Sequence, residues 1–192
     1  MLRIAIIVGS TRPGRKADSV AKWVHQIASK RSDAQYEVVD IQDFSLPLLD
    51  EPMPPAMGQY TKEHTKRWSE KIASFDGYVF VTPEYNHATS AALKNAIDFL
   101  NREWANKAAG FVGYGSAGGS RAIENLRLVM GELMVADVRQ QVLLRCSRTC
   151  QFPAVPACGD ARANGKYHAG PGRRVGDRAE DRSAGLNRRL LR

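Results

Sequence analysis

Three short segments of the chain combine residue types that bind anions and flat rings. The first, residues 9–19, follows an apolar run at residues 2–8 and reads Gly-Ser-Thr-Arg-Pro-Gly-Arg-Lys-Ala-Asp-Ser. Glycine permits a tight turn there, while hydroxyl groups, backbone N–H groups and Arg12 can hold an anion at a helix N-terminus. This first loop therefore predicts a phosphate site. The alternative is an ordinary strand-to-helix turn in which Asp18 or Ser19 caps the helix.

The first loop is close to the P-loop pattern of nucleotide hydrolases, Gly-x4-Gly-Lys-Ser/Thr. Positions 15 and 16 are Arg and Lys, so no hydroxyl residue stands where that pattern holds Mg²⁺. The departure disfavours nucleotide hydrolysis.

The second loop, residues 82–87, reads Thr-Pro-Glu-Tyr-Asn-His. Proline, an aromatic ring and an amide at the end of a strand predict a stiff surface that stacks on a planar ring and bonds its edge. Thr89 is then expected to cap a helix over residues 91–100. Two alternatives stay open, namely Tyr85 as a simple surface residue and His87 as a general acid, although no paired carboxylate supports the second.

The third loop, residues 113–120, reads Gly-Tyr-Gly-Ser-Ala-Gly-Gly-Ser and contains Gly-x-Gly-x-x-Gly. That dinucleotide fingerprint belongs after the first strand of a nucleotide-binding unit, with an acidic residue ending the next strand. Here it lies late in the chain and lacks the acidic residue. The loop is therefore interpreted as a close backbone approach to the polar edge of a ligand.

The sequence shows neither a catalytic triad order nor a nucleophile elbow nor a metal-ligand cluster. Three cysteines, at positions 146, 150 and 158, have only His168 as a nearby fourth ligand, which disfavours zinc. A site with an anion cradle and a ring surface, but without an acid–base pair, suits a cofactor that carries its own reactivity. No catalytic side chain and no metal are predicted.

These loops must be positioned by alternating strands and helices. Apolar runs predict strands at 2–8, 36–41, 76–82, 107–114 and 140–144. Four stripes with helical spacing lie between or after them: Val20, Trp23, Val24 and Ile27; Trp68, Ile72 and Phe75; Leu93, Ile97 and Leu100; Ile123, Leu126, Met130 and Leu133. The alternation predicts a doubly wound α/β domain, in which ligands bind at the carboxyl ends of the strands.

Composition limits the class of protein. With 192 residues, 43% of them hydrophobic, the chain can bury one ordinary core. No apolar run approaches the roughly 20 residues of a membrane span. The N-terminal run also differs from a signal peptide. The expectation is a cytoplasmic protein without a membrane partner.

The charge is distributed unevenly. Residues 1–144 carry a net charge of +1, whereas residues 145–192 carry +7 of the total of +8, with ten Arg and one Lys. The helical and strand periodicity stops at Leu144, so residues 1–144 are predicted to form one domain and 145–192 a tail of low order. Three interpretations of the tail stay open: a stretch encoded out of frame, a solvated extension, and, less favoured, a nucleic-acid arm.

Five ordered motifs within residues 1–144 carry a family resemblance. They are Gly-Ser-Thr-Arg-Pro-Gly-Arg at 9–15, Leu-Pro-Leu-Leu-Asp-Glu-Pro at 46–52, Pro-Glu-Tyr-Asn at 83–86, Ala-Leu-Lys-Asn-Ala-Ile-Asp at 92–98 and Gly-Tyr-Gly-Ser-Ala-Gly-Gly at 113–119. The chain resembles the flavodoxin-like NADPH-dependent FMN reductases, which include quinone, azo-dye and chromate reductases.

The resemblance implies a five-stranded parallel sheet of order 2-1-3-4-5, bound FMN, and NADPH or NADH as co-substrate. It implies hydride transfer to flavin N5, then reduction of a quinone, azo, metal-ion or free-flavin acceptor, in a homodimer or tetramer. The alternative is an FMN-binding redox sensor without turnover. The implied cofactor-binding residues fall in the three loops: Ser10, Arg12, Ala17, Asp18 and Ser19 for the phosphate; Pro83, Glu84, Tyr85 and Asn86 along the ring; Gly115, Ser116 and Gly119 at its far edge.

Two departures from the family stand out. Ala88 and Ala91 occupy positions where relatives often have glycine, and residues 145–192 lack the pattern of the family's last helix. A missing or replaced helix would uncover several hundred Å² of apolar sheet, worth about 5–10 kcal/mol. A poorly soluble or weakly flavin-binding chain is therefore expected.

Overall fold

A computed structural model of the chain describes residues 1–145. The strands are β1 (Leu2–Val8), β2 (Ala34–Asp40), β3 (Gly77–Pro83), β4 (Ala108–Gly115) and β5 (Ala136–Arg145). The helices are α1 (Ala17–Ala28), α2 (Glu63–Ala73), α3 (Ala91–Asp98) and α4 (Ser120–Glu132), with short 3-10 turns at Ile41–Phe44 and Pro55–Met57. All strand pairs are parallel and their order is β2-β1-β3-β4-β5, which confirms the predicted doubly wound sheet.

Two strands differ in their bounds from the predicted apolar runs. β2 begins at Ala34, two residues before the predicted strand, and ends at Asp40 rather than residue 41. It ends there because the Asp40 side chain accepts a hydrogen bond from the Gln42 amide and starts the 3-10 turn. β5 begins at Ala136, four residues before the predicted strand. Its first half is polar and exposed at the sheet edge, so it pairs with β4 without leaving an apolar signal.

The core lies on both faces of the sheet. The face under α2, α3 and α4 holds the large side chains, among them Trp68, Phe80, Trp104 and Phe111. The predicted stripes of these three helices are buried as expected. The opposite face packs against α1 through Val20 together with its two small neighbours, Ala17 and Ala21.

The predicted stripe of α1 is partly wrong. Val20 is buried and Val24 packs at the margin, but Trp23 is only half-buried and Ile27 is 40% exposed. The alanines explain the difference, since their short side chains let the helix approach the sheet on a face turned toward Ala17 and Ala21.

The described residues bear on only part of the predictions for the C-terminal region. Arg145, assigned to the tail by sequence, ends β5. The remaining tail, its three cysteines and the expected loss of the last helix lie outside the described residues. The longest helix in residues 1–145 has 13 residues, and none there has the length and hydropathy to cross a bilayer.

Candidate functional site

The three loops meet at the carboxyl edge of the sheet. The hydroxyl groups of Ser10 and Tyr85 lie 3.2 Å apart, which joins the first loop to the second. The Glu84 amide donates to the Tyr114 carbonyl at 3.1 Å, which joins the second loop to the third. The Ser90 hydroxyl donates to the Gly9 carbonyl at 2.6 Å and fixes the start of α3 against the first loop. The predicted convergence of the loops is present.

The first loop presents unpaired donors at the start of α1. The helix begins at Ala17 with Lys16 at its N-cap position, and no side chain caps it. The alternative in which Asp18 or Ser19 caps the helix is therefore wrong, since both residues lie inside the first turn. The amides of Ala17, Asp18 and Ser19 have no intrahelical acceptor. The guanidinium group of Arg12 is exposed and has no hydrogen bond or ion pair with any residue in 1–145.

Arg15 has a different environment, one that the sequence analysis missed. Its side chain is only 12% exposed and forms a two-pronged ion pair with Asp40. It also pairs with Asp18 at 2.9 Å and donates to the Ser10 carbonyl at 2.6 Å. Burial opposes the charge, but the hydrogen bonds and attraction of Asp40 and Asp18 hold the pKa of Arg15 above its ordinary value.

The second loop contains a tight two-residue turn. The amides and carbonyls of Tyr85 and Ala88 bond each other in both directions, at 3.0 and 3.1 Å. Asn86 and His87 between them have φ values of 49° and 74°, the left-handed pair of a type I′ turn. The turn holds Tyr85 half-buried beside Ser10, with Asn86 exposed at the rim.

The cap of α3 differs from the prediction. Ser90 rather than Thr89 accepts the hydrogen bond from the Leu93 amide, at 3.0 Å. The Thr89 hydroxyl instead bonds the Thr82 hydroxyl at 2.7 Å across the second loop. Of the two alanines that depart from the family pattern, Ala88 closes the turn and Ala91 begins the helix.

Glu84 links the second loop to α4. Its side chain is only 4% exposed, accepts from the Arg121 amide at 3.2 Å and forms an ion pair with the Arg121 guanidinium. Another nitrogen of that guanidinium lies 3.3 Å from Nδ1 of His87. Because arginine can only donate, Nδ1 must be the acceptor in this pair. His87 is thus oriented by Arg121 and has no carboxylate partner in the described structure, which leaves the general-acid alternative without support.

Glycine is required where the third loop turns into α4. Gly119 has a φ of 79°, and a Cβ there would lie 2.5 Å from the Tyr114 amide nitrogen. The Gly118 amide donates to the Gly115 carbonyl at 2.9 Å and closes the turn, while Ser116 is exposed at the rim. Gly118 and Gly119 are buried and serve the packing of the loop, whereas half-buried Gly115 presents bare backbone at the rim.

Two cavities lie outside the meeting point of the three loops. A cavity of about 460 Å³ at the opposite, amino edge is lined by Arg3, Arg31 and Glu37, whose charges are paired within the protein. Another, of about 340 Å³, adjoins Thr11 between the first loop and α3. The converging loops identify the site better, because they combine free donors, a ring surface and bare backbone.

This combination fits a molecule with an anionic group at one end and a flat, polar-edged ring at the other. Arg12 and the first turn of α1 match the anion. Tyr85, Asn86 and the glycines of the third loop match the ring and its edge. Among residues 1–145 no cluster of side chains could hold a metal ion.

Comparison with known proteins agrees with this fit. The NADPH-dependent FMN reductase family matches residues 2–148. The NAD(P)H-dependent FMN reductase ntnL of Nectria sp is 48% identical over 140 residues, which cover 68% of this chain and 70% of the relative. A probable NADPH:quinone oxidoreductase of Oryza sativa is 33% identical over 139 residues, covering 67% and 64% respectively.

Among solved structures, FerB of Paracoccus denitrificans, a flavoenzyme NAD(P)H:(acceptor) oxidoreductase, superposes with a TM-score of 0.64. The likeness covers 77% of this chain and 81% of FerB at 22% identity, and so shows a shared fold. The family match and the 48% identity to the Nectria relative establish that the chain belongs to the NADPH-dependent FMN reductases, a family of enzymes.

Proposed function

We propose that this chain is an NAD(P)H-dependent oxidoreductase that holds FMN across the three loops and reduces a small-molecule acceptor. The contact between the hydroxyls of Ser10 and Tyr85 carries the proposal. This contact supports the proposal because it brings the first loop, the proposed phosphate site, next to Tyr85, the proposed ring surface, at the sheet edge where doubly wound proteins bind ligands.

The phosphate end of FMN would lie at the start of α1. Ser10, Arg12 and the residues Ala17, Asp18 and Ser19 are the proposed ligands. The last three would act through backbone amides, which no side chain caps. A phosphate there gains from both the amides and the positive end of the helix dipole.

The ring would lie against the second and third loops. Pro83, Glu84, Tyr85 and Asn86 are proposed to border it on one side, and Gly115, Ser116 and Gly119 at the far edge. The Glu84 carboxylate is paired with Arg121, so its contribution to the ring would come from the backbone. When bound there, FMN would supply the redox chemistry that carries electrons from NAD(P)H to the acceptor. The surrounding residues bind and orient, and none is assigned a proton-transfer role.

A quinone is the acceptor class that the comparisons favour, since the rice relative is named a quinone oxidoreductase. Azo compounds, metal ions and free flavin are alternative acceptors, and each can replace the quinone in the titration described next. Assembly as a homodimer or tetramer and a cytoplasmic location stay predictions.

The test is an anaerobic titration of the full-length chain loaded with FMN. Addition of NADPH or NADH should bleach the flavin band near about 450 nm, and a quinone should restore it. A chain that binds FMN but is not reduced by either nucleotide would instead be the non-catalytic redox sensor. A chain that binds no FMN would contradict the proposal.

A further inference from the structure

We propose that Arg15 is a positioning residue, which shapes the first loop for a phosphate monoester while Arg12 meets the phosphate itself. The proposal rests on the FMN-binding function above and adds a division of roles between the two arginines of one loop.

The contacts of Arg15 tie three segments together. One guanidinium nitrogen donates to the Ser10 carbonyl at 2.6 Å and to Asp40 at 2.9 Å, and a second nitrogen completes the fork on Asp40. The third reaches Asp18 in the first turn of α1. Arg15 thus connects the beginning of the first loop, the end of β2 and the start of α1.

These contacts occupy all three nitrogens of the guanidinium group, and only 12% of the side chain is exposed. Arg12, three residues earlier in the loop, is exposed and has no partner among the described residues. Of the two arginines, Arg12 is therefore the free cation, and Lys16 is a second exposed cation of the loop without an ion pair among residues 1–145. The planar fork of arginine suits the bidentate pairing with Asp40, and a lysine could not reproduce it.

The charge of Arg15 also neutralises two carboxylates near the proposed phosphate site. Without Arg15, the carboxylates of Asp18 and Asp40 would be unpaired beside a dianionic phosphate, and their repulsion would oppose binding. Asp40 also accepts from the Gln42 amide, so the ion pair joins the first loop to the 3-10 turn after β2. The loop is held in its shape before any ligand arrives, which lowers the cost of ordering it on binding.

Comparison of FMN with riboflavin, which lacks the phosphate, tests the assignment. Flavin fluorescence quenching gives both dissociation constants for the full-length chain and its variants. Arg15→Gln and Arg15→Lys should each weaken FMN by about tenfold or more, the size expected for loss of charged hydrogen bonds. Riboflavin affinity should change by less than about twofold, because only the phosphate depends on the shape of the first loop.

Asp40→Asn separates positioning from direct binding. If Arg15 positions the loop, this variant should also lose FMN affinity and spare riboflavin. If Arg15 binds the phosphate itself, freeing it from Asp40 should preserve or tighten FMN binding, and the assignment is overturned. Wild-type FMN binding by Arg15→Lys would overturn it as well, since charge alone would then suffice.

A general loss of stability has a different signature. In that case FMN and riboflavin would weaken equally in Arg15→Gln, which overturns the positioning role but leaves the proposed function intact. A wild-type chain that binds neither flavin would overturn both. Arg31→Gln is the matched control, because Arg31 pairs with Asp33 on the exposed amino edge and should leave both affinities unchanged.

Discussion

Two glycines near α4 should respond in opposite directions to the same substitution. Gly119 precedes the helix with a φ of 79°, whereas Gly131 lies within it, and a Cβ at Gly131 would meet nothing within 4 Å. Gly119→Ala should destabilise the chain and Gly131→Ala should stabilise it. Each adds a single methyl group, so the difference measures local backbone geometry.

The magnitude follows from two costs at Gly119. A left-handed alanine costs about 1–2 kcal/mol. The added Cβ would lie 2.5 Å from the Tyr114 nitrogen and 2.7 Å from two backbone atoms of Gly113, so the backbone must move, at a further cost of about 1–3 kcal/mol. The melting temperature should fall by about 4–20 °C. At Gly131, the gain of alanine over glycine in a helix is about 0.5–1 kcal/mol, which raises it by about 1–4 °C.

Calorimetry or circular dichroism of both variants, with and without FMN, provides the measurement. Gly119→Ala should also lose at least about tenfold in FMN affinity, since the third loop borders the proposed ring site, and Gly131→Ala should keep it. A Gly119→Ala protein that melts with the wild type and binds FMN normally would refute the close packing of this loop.

Two further substitutions test the connections around the site. Ser90→Ala removes the cap of α3 and leaves the Gly9 carbonyl without its hydrogen-bond donor. Urea unfolding should therefore show a free energy of unfolding lower by about 2–3 kcal/mol. The control is Ser74→Ala at an exposed position, which should change this free energy by less than about 0.5 kcal/mol. Burial of the Glu51 carboxyl tends to raise its pKa. Hydrogen bonds from backbone amides, first that of Thr61, outweigh burial and lower the pKa of Glu51 from 4.5 to about 2. The stabilisation by ionised Glu51 is therefore complete above about pH 4.5 and is lost as pH falls toward 2. Urea titrations should show Glu51→Gln less stable than wild type by about 1–2 kcal/mol at pH 7, with a gap that narrows below pH 4; a constant gap would contradict this origin.

The sequence was sufficient to predict the sheet and the convergence of the three loops at one of its edges. Continuous apolar runs mark buried parallel strands, and the polar segments that follow β1, β3 and β4 must then share one edge. The contact between Ser10 and Tyr85, 75 residues apart, is a consequence of that topology.

What the sequence did not predict depends on competition between local partners. Thr89 and Ser90 are both good caps, and the choice was made by Thr82, which takes the Thr89 hydroxyl. The pairing of Arg15 with Asp40 needs the register of β1 and β2, in which Val8 stands opposite Asp40. The sequence signal for this ion pair is an acidic residue at the end of one strand together with an arginine shortly after the neighbouring strand.

The hydrogen bond from Ser90 to the Gly9 carbonyl spans 81 positions of the chain. Such a bond forms late, because more than half of the described polypeptide must first be organised around β1 and β3. The first loop lies within the first twenty residues, but it would lack the hydrogen bond from Ser90 until α3 has packed against it. Flavin capture by this protein should accordingly follow assembly of the sheet, and the kinetics of cofactor uptake during refolding should report the slowest tertiary step rather than the diffusion of FMN.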